Sequence, residues 1–170
     1  EVVTITVTDA GNQAPVLDPI GPQFVTEGNT LNVPISATDA DSTIPDLSTS
    51  TLPQNATFTP NGDGTGSFAF TPSYVQSGII SVTFRASDGI VVDSEVVFIT
   101  ISDAGNQNPV LDPIGPQSVT EGASLSFPVS ASDPEGAAPT LTTSSLPPNA
   151  VFSDNGDGTG TFTFDPVYVQ

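Results

Sequence analysis

The chain has 170 residues and sets a single basic residue, Arg85, against 19 acids, for a net charge of −18. That balance excludes nucleic acid and anionic membrane surfaces as partners, because phosphate contacts need Lys and Arg. With no Cys and no His there are no disulfides, no thiolate or imidazole ligands and no His base, so any bound metal must be a hard, oxygen-liganded ion, calcium first.

Taken in chain order, residues 1–13 (EVVTITVTDAGNQ) alternate Val3, Ile5 and Val7 on one face and then run into polar residues. They align with EVVFITISDAGNQ at 95–107, so they read as the final strand and linker of a preceding repeat. PVLDPIGPQ follows, with three prolines in eight residues; the missing donors and fixed φ predict a stiff, extended connection. Strands are then predicted over 23–27, 30–38, 46–51, 56–60, 65–71, 79–87 and 91–101. The clearest carry period-2 alternation: Leu31, Val33, Ile35 and Ala37; Phe68 and Phe70; Ile80, Val82, Phe84 and Ala86; Val97, Ile99 and Ile101. One buried face per strand predicts antiparallel sheets. GPQ, DADSTIPD, LPQN, NGDGTG, TPSYVQSG and SDG punctuate the runs. NGDGTG, at 61–66 and again at 155–160, is a hairpin signal that lacks the spaced acids of an EF-hand. Tyr74 is placed either as a tyrosine corner or as a plain core or rim residue.

The chain repeats itself. Pro15–Gln76 aligns without gaps on Pro109–Gln170 at an offset of 94, with 39 of 62 positions identical. Three segments result: 1–13 from a preceding repeat, a complete unit at 14–107, and a partial unit at 108–170 lacking its last two strands. The chain therefore reads as a window on a longer array. About seven short strands per unit predict an all-β protein of tandem immunoglobulin-like sandwiches, the last one incomplete.

This topology collects the acids at the ends of the units. Asp39 and Asp41 follow the strand at 30–38, Asp88 follows the strand at 79–87, and the linker residues Asp9 and Asn12 arrive at the same pole. Glu27 lies at the opposite pole, beside Asp103 and Asn106, and the next unit offers Asp133 and Glu135. Two readings stay open: a calcium site at each junction, or solvated turns and acidic caps.

On these residues the chain resembles a known family. SATDADS is similar to the Asp-x-Asp motif of cadherin repeats, RASDG with VVFITISDAGNQNPV to the end of a cadherin repeat and its linker, and VTEG stands where cadherins carry an early Glu. The whole unit resembles the cadherin-like and immunoglobulin-like repeats of large bacterial surface proteins. The resemblance implies an extracellular or cell-surface location and a stalk, adhesin or filament role, with Ca2+ at the junctions through the ten residues named above. It departs from cadherins in reading D-x-x-N-Q at the linker, with Gln13 and Gln107 where an acid is expected, and in having Glu135 where the first unit has Asp41.

Catalysis is not expected: there is no Lys or His, and Asp39/Asp41 recur in each unit without a cleft. The alternative function is a carbohydrate- or protein-binding adhesion module, for which outward aromatics are few; Phe24 and Phe98 are the candidates, aligned with Ser118 and Thr4. The expected partners are neighbouring repeats and identical chains, through filament packing or through donation of the strand at 1–8 to an open unit, which would still lack one strand.

Overall fold

The computed structural model describes residues 1–168; Val169 and Gln170, the end of the expected partial unit, lie outside the described residues. The chain divides into two compact units, Glu1–Ala104 and Gly105–Gln170.

The first unit holds eight strands: β1 (Val16–Leu17), β2 (Gln23–Thr26), β3 (Leu31–Thr38), β4 (Asp46–Thr49), β5 (Ala56–Pro60), β6 (Thr65–Phe70), β7 (Gly78–Ser87) and β8 (Val92–Ser102). They form two four-stranded sheets, in the orders β1-β3-β6-β5 and β2-β8-β7-β4. The apolar positions picked out by alternation, joined by Leu47, meet between the sheets. Val33, Ile35, Phe68 and Phe70 come from one, and Leu47, Val82, Phe84, Val97, Ile99 and Ile101 from the other; all are buried. Phe84 stands edge-on to Phe58 and Phe68 of the facing sheet, with ring centroids 5.9 and 5.5 Å away. Such contacts add about 0.5–1.5 kcal/mol each beyond area burial.

The proline-rich segment, expected as a stiff, extended connection, also pairs with both sheets. Val16 and Leu17 pair with Thr38 and Ala37 of β3. The chain then crosses over, with Gly21 at φ +68°, and joins the second sheet as β2. There Gln23–Thr26 runs parallel to Ile99–Ser102 of β8, the one departure from antiparallel pairing among the described strands. One edge segment thus serves both sheets. Its crossover frees backbone donors, which β8 captures with carboxylates. Leu17 N donates to Asp93 Oδ2 at 2.9 Å, and Ile20 N and Gly21 N donate to the two oxygens of Glu95, each at 2.8 Å. A half-buried N–H left without an acceptor is costly, so these acids are structural.

NGDGTG forms the tight turn expected. Asn61 N donates to Thr65 O at 2.9 Å, and Asp63 Oδ1 accepts from Thr65 N and Oγ1. Gly64, at φ +82°, lies against β3 so closely that a Cβ there would come within 2.8 Å of the Ala37 carbonyl oxygen. Tyr74 lies over Gly28, where an added Cβ would be 2.6 Å from the phenolic oxygen.

Residues 1–14 form no strand, and Val2, Val3, Ile5 and Val7 are exposed, in contrast to the strand expected at 1–8. The equivalent residues of β8 gain their order from β7 and β2 on either side, and no such neighbours flank residues 1–8.

The second unit has β9 (Val110–Leu111), β10 (Leu125–Ser132), β11 (Ala150–Asp154) and β12 (Thr159–Phe164), in one sheet of order β11-β12-β10-β9. It reproduces the first sheet of the complete unit, down to the 2.8 Å approach of Gly158 to the Ala131 carbonyl. Its inward face carries Phe127 stacked on Phe162 at 4.9 Å and borders an apolar cavity of about 300 Å³. The counterparts of β2 and β4 take no strand conformation here, because no described strand equivalent to β7 or β8 offers them an edge.

Replacing Glu95 by Ala should lower the urea unfolding free energy of the first unit by about 2–3 kcal/mol, since two charge-assisted acceptors vanish. Glu95→Gln, which keeps one oxygen, should cost less. Equal losses in the two variants would contradict the assigned role. Gly64→Ala should cost at least about 1 kcal/mol, from positive φ and the carbonyl clash together, read in the same unfolding curves.

Candidate functional site

The ends of the first unit are organised by carboxylates, and each has identifiable backbone donors. At the N-terminal pole Asp39 closes β3, and its Oδ1 accepts from Asp41 N at 2.7 Å. Asp41 Oδ2 accepts from Gln13 N at 2.5 Å. Asp88 caps the turn after β7: Oδ1 accepts from Ile90 N and Val91 N, both at 2.7 Å, while Oδ2 accepts from Asn12 Nδ2 at 2.7 Å. Asp9 Oδ1 takes the Gly11 N–H at 2.9 Å. Asn12 and Gln13 of the linker thus reach Asp88 and Asp41.

The second unit repeats this arrangement at the 94-residue offset. Gln107 N donates to Glu135 Oε1 at 3.0 Å and Glu135 N to Asp133 Oδ1 at 2.9 Å, while Asn106 Nδ2 turns back to the Gln107 carbonyl at 2.9 Å. Gln107 bonds forward to Glu135, so the unit boundary falls between Ala104 and Gly105 rather than after Gln107. Residues 9–13 likewise attach forward, to the first unit. One carboxylate oxygen in each cluster, Asp39 Oδ2 and Glu135 Oε2, is buried and has no hydrogen-bond partner. Even so, no group of three or more acids among the described residues is arranged to hold a metal ion.

The opposite pole is different in kind. Glu27 is 4% exposed, and both of its oxygens are engaged: Oε1 by Ser77 N at 2.5 Å and Oε2 by Ala104 N at 3.3 Å. It ties the end of β2 to the start of β7 and to the segment leaving β8, where Asp103 lies. Its equivalent, Glu121, is exposed. Glu27, expected beside Asp103 and Asn106, thus acts as a clamp on backbone donors. Sequence reasoning missed Asp93 and Glu95 altogether. The available signal was phase, since both acids alternate in step with Val97 and Ile99, and an acid at core-facing phase needs donors.

Backbone donors also set the acidity here. The amide of Val91, then the Asn12 side chain and the Ile90 amide hold Asp88 below the ordinary 3.8. Thr65 does the same for Asp63, and Thr159 for Asp157, in each case through the hydroxyl first and the amide second.

The two sheets, the edge segment shared between them and the acid-capped poles define an immunoglobulin-like β-sandwich repeat. The bacterial Ig domain family model matches residues 12–100, and the chain belongs to that family. Chitinase A of Pseudoalteromonas piscicida is 35% identical over 136 residues, 79% of this chain, and the chain spans 16% of that protein. Among solved structures, the endo-fucoidan hydrolase MfFcnA4 of glycoside hydrolase family 107 superposes with a TM-score of 0.53 over 98% of this chain and 27% of its own, at 21% identity. A titin Ig tandem, A164-A165, gives 0.40 at 13% identity, covering 92% of this chain and 84% of that one.

Lowered carboxylate pKa values favour the ionised, folded state above about pH 4, and that stabilisation is lost as pH falls through the folded values. The melting temperature should hold between about pH 7 and 5 and fall below about pH 4. In Asp88→Asn part of that acid-side decline should disappear; an unchanged pH profile would remove Asp88 from the account.

Proposed function

We propose that this chain is a non-catalytic, extracellular accessory segment, a spacer of tandem sandwiches within a larger carbohydrate-active protein. The observation that carries this reading is the match to chitinase A, which runs through 79% of the chain and so across both units, while taking up 16% of the relative. A segment that recurs in tandem and occupies a small share of a chitinase is suited to holding other parts apart. The chemistry agrees: the chain has no His, Cys or Lys, and its acids serve backbone donors at turns and crossovers. The stalk of an adhesin or filament is the same mechanical role in a different parent. An antibody against the chain tests the choice. It should capture from culture medium a protein several times heavier than 17.3 kDa that degrades a glycan in a gel overlay. In-frame removal of the first unit should leave turnover of soluble oligosaccharides intact. A captured parent without glycan-degrading activity would return the stalk reading, and loss of soluble turnover on deletion would contradict a non-catalytic role.

The bare oxygens Asp39 Oδ2 and Glu135 Oε2 favour one addition, calcium at the N-terminal pole of each unit. The ion would draw on Asp39 Oδ2 in the first unit and Glu135 Oε2 in the second, with its remaining oxygens from neighbouring carbonyls and water; Asp88 and Glu27 are already committed to their donors. Calorimetric melting in millimolar Ca2+ should then lie above that in chelator, with Mg2+ less effective. Coincident melts would exclude the ion.

A further inference from the structure

The outer face of the sheet β2-β8-β7-β4 differs from the rest of this acidic surface. Alternation turns Phe24 of β2, Val96 and Phe98 of β8 and Ile79 of β7 away from the core, with exposures of 70, 53, 57 and 70%. The registers put them together. Phe24 lies beside Thr100, and Thr100 beside Ile79, so the three form one row across three strands. Phe98 lies two residues along β8 on the same face, opposite Ser81, and Val96 lies opposite Thr83. Beyond them Arg85, the only basic residue of the chain, sits between Ser94 and Ser48. Carboxylates are nearly absent: Asp46, at the end of β4, is the one acid at an outward position on these four strands. Asp93 and Glu95 point the other way, into the crossover. From Phe24 a groove of about 590 Å³ extends along Thr26, Asn29, Asn32 and Ser102, and no charged residue lines it.

A chain with 19 acids has thus left one face with a single acid, at its edge, and the adjoining groove with none, and has set two phenyl rings there in solvent. Contiguous exposed apolar surface of this kind marks an interaction site. Charge selects the occupant. A second copy, also at −18, would be repelled over the approach, and so would a sulfated or otherwise anionic glycan. A basic protein would find only Asp46, at the end of β4, to pair with on this face. A neutral polysaccharide fits each feature: the apolar faces of its sugar rings stack on Phe24 and Phe98, and its hydroxyls find the Ser, Thr and Asn groups around them. We propose that this face is a binding platform for a neutral polysaccharide chain, with Phe24 and Phe98 as its stacking residues. Neither ring is repeated at the aligned positions: the second unit has Ser118 where Phe24 stands, and residues 1–13 have Thr4 where Phe98 stands.

The proposal rests on the accessory-segment reading and names the ligand class for it. The test is co-sedimentation of the 170-residue chain with insoluble chitin and with microcrystalline cellulose, beside a gel-retardation assay in soluble fucoidan as the anionic control. The chain should sediment with at least one neutral polymer and ignore fucoidan. The double variant Phe24→Ser/Phe98→Thr, which takes the residues of the aligned positions, should bind roughly tenfold more weakly or less with an unchanged melting temperature. Absence of binding to either neutral polymer, binding equal in the double variant, preference for fucoidan, or a concentration-dependent dimer abolished by the double variant would each overturn it. The identity and activity of the captured parent are read independently, so failure of the platform and failure of the accessory reading are distinguishable.

Discussion

Phe84 is the contact on which the first unit depends. A two-sheet sandwich needs something to hold its layers in register, and this chain has neither cystine nor Trp to do it. The ring of Phe84, on β7, meets Phe58 and Phe68 edge-on across the interlayer space, and Val82, Val97 and Ile99 close around it at 0–1% exposure. Truncating such a ring costs about 3–5 kcal/mol, a large part of the stability of a domain this size. The second unit supplies the opposite half of the comparison. It has the partners, Phe152 and Phe162, but no described counterpart of β7 to bring a ring between them, and among its described large apolar side chains Val129 alone is buried.

The second constraint is the surplus of acid. Self-repulsion at −18 opposes compaction, yet the carboxylates also contribute to the fold. They sit where the backbone leaves donors unpaired: Asp39, Asp41 and Asp88 at the turns of one pole, Glu27 at the other, Asp93 and Glu95 under the crossover. Each satisfies an N–H that a strand ladder cannot reach. The same logic explains why Asp-x-Asp recurs in the second unit as Asp-x-Glu: either acid can receive the linker amide, that of Gln13 in one unit and Gln107 in the other. What calcium-like spacing signals in the sequence is, at the level of contacts, a set of acceptors for turn amides with one oxygen left over.

The strands were legible because a two-sided sandwich imposes period 2, and the runs at Leu31–Thr38 and Gly78–Ser87 carry it without interruption. The NGDGTG turn was legible because only glycine suits Gly64, with its positive φ and the Ala37 carbonyl behind it. β1 was hidden by its prolines, which look like a linker and in fact suit an edge segment that pairs briefly and changes sheets. β2, into which it leads, finds its parallel partner only in β8, where Gln23 pairs with Ile99, and no local pattern reports such a pairing. The acidic pole was legible as a place, since topology brings the ends of β3 and β7 together. Its bonds were not, because they run to the backbone amides of Gln13 and Gln107, whose side chains carry no sign of it. Phe24 and Phe98 were visible as apolar residues out of phase with the core, whereas the absence of acids around them emerged only with the register of four strands.

The central claim is that the first unit is held by its own interlayer core, with β7 and β8 as its most protected part. Residue-resolved hydrogen exchange on the intact chain tests this most directly, because it reads the free energy of opening strand by strand. The account predicts that the amides of Val82, Phe84, Val97 and Ile99 exchange only through global unfolding of that unit, far more slowly than those of β10 and β12. Exchange of β7 and β8 as fast as β10 and β12 would contradict it.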